Sequence, residues 1–308
     1  MTKFVKLPRV CVPLTMDCDF KCRYCYREKG RAEVPEFNDT MRAFLAQLSP
    51  EWCEAVVAGG GEPLLYPERV KELFSYVPSG VHKKVMTNGA NLTMELVDYF
   101  NELDVEVTLS HDGSATESLR GMDVLKDAEI REAVRAVNRL SVHSVCTALN
   151  PNPWKVFLEI SRALGCNTFN YQATPVFEDS CFADLIDGFD YGEYAEGRFN
   201  LWTCRVNPPP KYTVNGGRGY GVNVLPDGSV VGMTRMLSKY GTVEDSLEDI
   251  LRSREESGDC VACSNANCEM RAECSCPPAL ASNHFCFIQR INKEVKSFIR
   301  KEVYGERG

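Results

Sequence analysis

From residue 9 to about residue 173 the chain switches repeatedly between short β-rich runs and longer segments in which apolar residues return with helical spacing. The runs predict strands over Val10 to Leu14, Glu54 to Ala58, Lys84 to Met86, Val105 to Leu109, His143 to Leu149 and Thr168 to Gln172. Helical periodicity fills the intervals. One stretch puts Leu96, Val97, Phe100 and Leu103 on a single face behind an N-cap at Thr93; another puts Phe157, Ile160 and Leu164 on one face and stops at Gly165. Repeated strand and helix units in this order require parallel strands joined by right-handed crossovers, so the expected fold class is α/β, a partial (βα)6 barrel. Barrels of this kind carry their chemistry at the carboxyl ends of the strands, a condition that each candidate residue must meet.

After about residue 175 the rhythm changes. Asp179 to Asn200 is acidic and aromatic, and Pro208 to Pro210 breaks regular structure. Tyr220 to Leu225, then Pro226-Asp227-Gly228, then Val230-Val231 reads as a hairpin. This divides the chain into a barrel over 1–200 and a small cysteine-rich module over 201–308. The module ends in an amphipathic helix with Ile288, Ile291, Val295, Phe298 and Ile299 on one face, expected to pack against the barrel.

Composition narrows the partners. The net charge of -8 provides no basic field, so duplex nucleic acid is not a favoured ligand. No run approaches the roughly 20 apolar residues needed to span a bilayer, and Met1 to Arg9 contains no signal-peptide core, so a cytoplasmic location is expected. In a reducing compartment 15 cysteines point to metal ligation rather than disulfides. Cys11, Cys53, Cys146, Cys166 and Cys181 are scattered and read as small core residues; Cys204 reads as buried or as a thiol facing a substrate.

The other cysteines fall into two groups. Cys18, Cys22 and Cys25 follow the first expected strand, at the catalytic rim. Three thiolates in one short loop leave one iron of an iron-sulfur cluster without a protein ligand, and such an iron is open to chemistry. Zinc is the competing metal, since a distant fourth ligand would complete its tetrahedron.

The spacing Cys18-x3-Cys22-x2-Cys25, with Tyr24 before the last cysteine, resembles the motif of the radical S-adenosylmethionine (SAM) superfamily. Gly60-Gly61-Glu62-Pro63, Thr87-Asn88-Gly89 and Ser110-His111-Asp112-Gly113 are similar to that family's later motifs, each at an expected strand end. The resemblance implies a 4Fe-4S cluster on Cys18, Cys22 and Cys25 and a SAM site contacted by Tyr24, Gly60, Gly61, Glu62, Asn88, Ser110, Asp112, Arg120 and Asn150. Glycines at 60 and 61 admit close approach of polar backbone groups. Glu62 would support the SAM amino group; its plainer role, as a surface carboxylate capping the next helix, is disfavoured because Pro63 follows at once. Ser110 and Asp112 lie two apart at a strand end, so they are expected to point to one side and His111 to the other, as a packing residue. Asn150 either lines the adenosine site or caps a loop.

Cys260, Cys263, Cys268, Cys274, Cys276 and Cys286 suit either a zinc knuckle or an iron-sulfur site. Preceded by Asp227-Gly228 and by Asp245 to Ile250, they resemble the auxiliary-cluster extension called SPASM or its twitch form, which implies at least one auxiliary iron-sulfur cluster. Its leading ligands would be Cys260, Cys263, Cys274 and Cys286, with Cys268 as substitute, and Cys204 and Cys276 would be the support for any second, incompletely ligated cluster. A radical SAM barrel with such an extension implies reductive SAM cleavage to a 5'-deoxyadenosyl radical and hydrogen abstraction from a peptide or protein side chain. A small-molecule dehydrogenase or rearrangement catalyst, and a noncatalytic metal-stabilised binding protein, are the competing readings. With Cys18 so early in the sequence, no preceding peptide-recognition domain is expected. The basic loop of Lys21, Arg23, Arg27, Lys29 and Arg31 suits an acidic electron donor such as flavodoxin or ferredoxin.

Overall fold

The computed structural model describes residues 7, 9–25, 37–166, 168–175, 185, 187–190, 193–194, 221–225, 227–232 and 239–256. Strands β1 (Val10–Thr15), β2 (Ala55–Gly60), β3 (His82–Thr87), β4 (Glu106–Ser110), β5 (Leu140–Cys146) and β6 (Asn170–Pro175) pair in parallel, each with the next. Helices α1 (Asp39–Ala46), α2 (Pro67–Tyr76), α3 (Met94–Glu102), α4 (Thr116–Arg120), α5 (Ala128–Arg135) and α6 (Pro153–Leu164) occupy the crossovers. The expected α/β barrel of six parallel strands is therefore present.

Side-chain caps mark where several helices start. Asn38, Thr93, Asp127 and Asn152 each accept a hydrogen bond from a backbone N–H of the first turn. Gly165, at φ +65°, ends α6 where the sequence places the stop. Leu103 departs from expectation. It is the C-cap of α3 and lies exposed, because the helix closes one residue before its side chain would reach the buried face of Leu96, Val97 and Phe100.

Alternation along the strands separates two environments. Val10, Val12, Ala58, Val85, Val107, Leu109, Val142 and Ala173 turn toward the helices and form one continuous core with Phe44, Leu73, Phe100, Val134 and Ile160. The opposite face carries Cys11, Pro13, Gly59, Met86, Thr108, Ser110, His143, Val145 and Thr174, all half-buried, and lines the hollow of the barrel. Cys53 and Cys146 are core residues as expected, whereas Cys11 faces the hollow and Cys166 is half-buried. Cys181 and Cys204 lie outside the described residues.

Two boundaries differ from the sequence expectation. β5 spans 140–146 rather than 143–149, because Thr147 N–H and its hydroxyl both donate to Asn150 Oδ1 at 2.8 Å, folding residues 147–150 into a turn. The hairpin forms as β7 (Val222–Val224) and β8 (Ser229–Gly232), and β9 (Lys239–Thr242) extends it. β7 also pairs in parallel with β1, so the strand order is β6-β5-β4-β3-β2-β1-β7-β8-β9 and the barrel sheet continues past its first strand. Helix α7 (Leu247–Glu256) buries Leu247, Ile250 and Leu251, and its Leu247 N–H donates to Gln47 at the end of α1. The cysteine-rich stretch and the C-terminal helix expected from the sequence lie outside the described residues. Among the described residues no helix is long and apolar enough to cross a membrane.

Candidate active site

The loop that leaves β1 carries Cys18, Cys22 and Cys25, all half-buried, and its course is set by the end of β2. Gly60 has φ +110°, a conformation that a side chain makes costly. Gly61 N–H donates to Thr15 O at 2.5 Å, and Glu62 N–H donates to Asp17 O at 2.7 Å. A Cβ on Gly61 would sit 1.9 Å from Asp17 O, so the two backbones meet where only glycine fits. The close approach foreseen at these glycines is thus made by the protein's own cysteine loop.

Glu62 is 1% exposed and joins two further loops to this one. Its Oε1 accepts from Leu64 N–H at 3.0 Å and from the Thr87 hydroxyl at 2.7 Å, while Oε2 accepts from Asn88 N–H at 2.7 Å. The capping role discounted on account of Pro63 is realised, because proline at a helix start lacks an N–H that would have no partner there. The carboxylate is buried rather than at the surface, and three donors leave about one of its four acceptor positions for a ligand ammonium. Asn88 turns its amide to Asp19, at 2.6 Å, and Asn91 reaches the other oxygen of Asp19 at 2.9 Å. The loop after β3 is therefore tied to the residue next to Cys18.

Burial pushes the Glu62 carboxyl up to about 7 from its ordinary 4.5, against the pull of its hydrogen bonds from Asn88, Thr87 and Leu64. The folded chain then holds this proton more tightly than the unfolded chain. The resulting stability is fully present below 4.5 and is lost as pH rises through about 7. Glu62→Gln cannot titrate, so denaturant unfolding followed across that interval should show a loss on the order of 3 kcal/mol in the parent that the variant lacks. Parallel pH profiles for the two proteins would refute this account.

Ser110 and Asp112 do not share an environment. β4 ends at Ser110, and Asp112 has left extended geometry (φ -115°, ψ 26°), so strand alternation no longer governs its direction. Ser110 is half-buried on the hollow side, whereas Asp112 is 0% exposed. Arg120 donates to Asp112 through Nε at 2.7 Å and through Nη2 at 3.2 Å, Val145 N–H donates at 2.8 Å, and the Tyr24 hydroxyl donates to Oδ2. Burial works against the Arg120 charge, but Asp112 outweighs it and holds the guanidinium protonated. Asn150 spends its amide on Thr147, Val145 O and, at 3.5 Å, Asp112 O, which is the loop-capping alternative. His111 is buried as expected. Gly113 N–H donates to its Nδ1, so Nε2–H faces Asp123 at 2.9 Å.

His143 was not among the sequence candidates. The β4 and β5 register sets it beside Ser110 on the hollow side, with Nε2 at 3.1 Å from the Thr174 hydroxyl. Burial, aided by Arg120, lowers it to about 4, so it is neutral near pH 7. Its signal was the alternation Ser141, His143, Val145, which sets a polar residue on an otherwise unassigned strand face.

The donor set fits a cluster held by three thiolates. Burial raises the Cys22 thiol, opposed by Arg120 and reinforced by Cys25 and Cys18. Among the described residues no three His, Cys, Asp or Glu side chains converge to hold a single ion.

A family model described as the Radical SAM superfamily matches residues 12–155. No protein of curated function matches the chain. Among solved structures, native anSMEcpe with bound AdoMet and Kp18Cys peptide superposes with a TM-score of 0.70 at 16% identity, over 97% of this chain and 99% of that one. Streptococcus suis SuiB bound to S-adenosylmethionine gives 0.63 at 14% identity, over 88% and 73%. SuiB bound to precursor peptide SuiA gives 0.52 at 14%, over 80% and 65%. At these identities the likeness establishes the fold.

Proposed function

We propose, on the premise that residues 12–155 belong to the radical SAM superfamily, that this protein cleaves SAM reductively and removes hydrogen from a peptide or protein side chain. One observation carries the reading. The loops after β2, β3 and β4 all bond to the cysteine loop, through Glu62 and Asp17, Asn88 and Asp19, and Asp112 and Tyr24. A binding protein stabilised by a metal has no need to bring three strand-end loops onto its ligand loop.

Cys18, Cys22 and Cys25 would hold a 4Fe-4S cluster, which supplies the electron that breaks SAM into methionine and a hydrogen-abstracting 5'-deoxyadenosyl radical. Gly60 and Gly61 seat the loop, and the remaining acceptor position of Glu62 can take the SAM ammonium. Ser110, on the hollow side of β4, is suited to the ribose. The half-buried face of Met86, Thr108, His143, Val145 and Thr174 would line the space for the substrate carbon. The peptide class is supported by the peptides named with anSMEcpe and SuiB. Cys260, Cys263, Cys274 and Cys286, with Cys268 in reserve, are assigned to an auxiliary cluster on their spacing, within a module over 201–308. Flavodoxin or ferredoxin is the proposed electron donor, and the cytoplasm the proposed location.

Anaerobic reconstitution with iron and sulfide, followed by dithionite and SAM, should yield 5'-deoxyadenosine; its absence would end the enzymatic reading. With a deuterated cell extract split into peptide and small-molecule fractions, deuterium should enter 5'-deoxyadenosine from the peptide fraction. Transfer from the small-molecule fraction alone would reassign the substrate class.

A further inference from the structure

The cysteine loop is anchored at a second place, independent of the glycines. Tyr24 lies between Cys22 and Cys25, its ring packed against Ala115, Leu119 and Leu185 in a small cluster apart from the main core. The Arg120 guanidinium stands over that ring, 5.3 Å from its centroid. The Tyr24 hydroxyl ends on Asp112, and Arg23 N–H donates to Leu119 O at 2.8 Å. Asp112 N–H in turn donates to Thr116 Oγ1 at 2.8 Å, which fastens the start of α4 to the same residue.

Asp112 offers its two oxygens to four donors: Arg120 Nε and Nη2, Val145 N–H and the Tyr24 hydroxyl. A carboxylate has about four acceptor positions, so none is left for a cosubstrate hydroxyl. Its burial is complete, and its cationic partner Arg120 is itself almost fully buried. Such a pair holds its geometry firmly, since removing either member strands a charge in a medium that cannot solvate it.

We propose that Asp112 is a positioning residue that locks the cysteine loop and the Arg120 guanidinium into one rigid unit, acting through Tyr24 on one side and through the bidentate Arg120 pair on the other. The inference rests on the radical SAM reading of the same rim. It differs from direct SAM binding by Asp112 or the Tyr24 hydroxyl, because both groups are consumed within the protein. Movement of Tyr24 would displace the two cysteines beside it, and movement of Arg120 would displace a cation whose charge acts on Cys22.

The test compares the reconstituted full chain with Tyr24→Phe, Asp112→Asn and the double variant. Circular dichroism reports folding, and the change that SAM causes in the electron paramagnetic resonance spectrum of the reduced protein reports both affinity and geometry at the open iron. Tyr24→Phe keeps the ring and loses one hydrogen bond. It should fold normally, show an altered spectrum and bind SAM roughly tenfold more weakly, the scale of one hydrogen bond to a buried charge. The double variant should be no worse than Asp112→Asn, because residues acting through one link are not additive. If Asp112→Asn does not fold, Arg120→Lys takes its place in the same comparison. A parent-like spectrum and affinity in Tyr24→Phe, or full additivity in the double variant, would overturn the proposal. No response to SAM in the parent protein would instead overturn the radical SAM reading, and this inference with it.

Discussion

Gly61→Ala is expected to reduce 5'-deoxyadenosine formation by roughly two orders of magnitude, the scale of misplacing a reacting group by about 1 Å. The new Cβ would meet Asp17 O at 1.9 Å, Asp17 C at 2.6 Å and Met16 C at 2.7 Å, all backbone atoms that cannot swing aside as a side chain would. Either the cysteine loop or the end of β2 must withdraw, and the bond from Gly61 N–H to Thr15 O goes with it. Overpacking of this kind also costs about 1–3 kcal/mol of stability, visible as a lower unfolding midpoint. Gly59→Ala is the matched control, since a Cβ there has nothing within 4 Å. Equal SAM cleavage by the two variants, measured without added substrate, would show that the contact does not position the loop.

The second large effect concerns the thiols themselves. Cys18, Cys22 and Cys25 changed together to Ala should reduce 5'-deoxyadenosine to background and remove the iron of one cluster per chain. Iron held by the cysteines from Cys260 onward should remain. Thiolates are the usual ligands of such clusters, and nothing else in this loop replaces their softness and charge. Cleavage of SAM by the triple variant at a rate near the parent would place the chemistry elsewhere. Complete loss of iron would mean that the C-terminal cysteines hold no cluster of their own. Counting iron and measuring cleavage on the same preparations therefore separates the rim from the auxiliary site.

Much of the site is legible in the amino-acid sequence. Cys18, Gly60, Asn88 and Ser110 sit at or just beyond strand ends because the βα rhythm sets a loop there, and that rhythm is a matter of local periodicity. What each residue does is less legible. Glu62 was expected beside the SAM amino group or as a surface cap of the next helix; it is a cap, but a buried one that also ties β2 to β3. Asp112 was grouped with Ser110 by strand alternation, but the strand stops between them. Asn150 was set at a strand end that lies four residues earlier, because its own side chain makes the turn. In each case a side chain competes with the backbone ladder for hydrogen bonds, and periodicity does not record that competition.

His143 and β7 illustrate the same limit at longer range. Nothing in the local pattern says that a histidine on β5 stands beside Ser110 and Thr174, or that residues 222–224 pair with β1. By itself the sequence determined the order of strands and helices, the rim on which the proposed site lies, and the three thiols assigned to it. These depend on periodicity, caps and spacing, all short-range. Only the tertiary structure decided that the glycines seat the cysteine loop, that Asp112 takes four donors, and that the loops after β2, β3 and β4 bond to the cysteine loop. Those are contacts between residues far apart in the chain, and their geometry exists only once the sheet has brought the strand ends together.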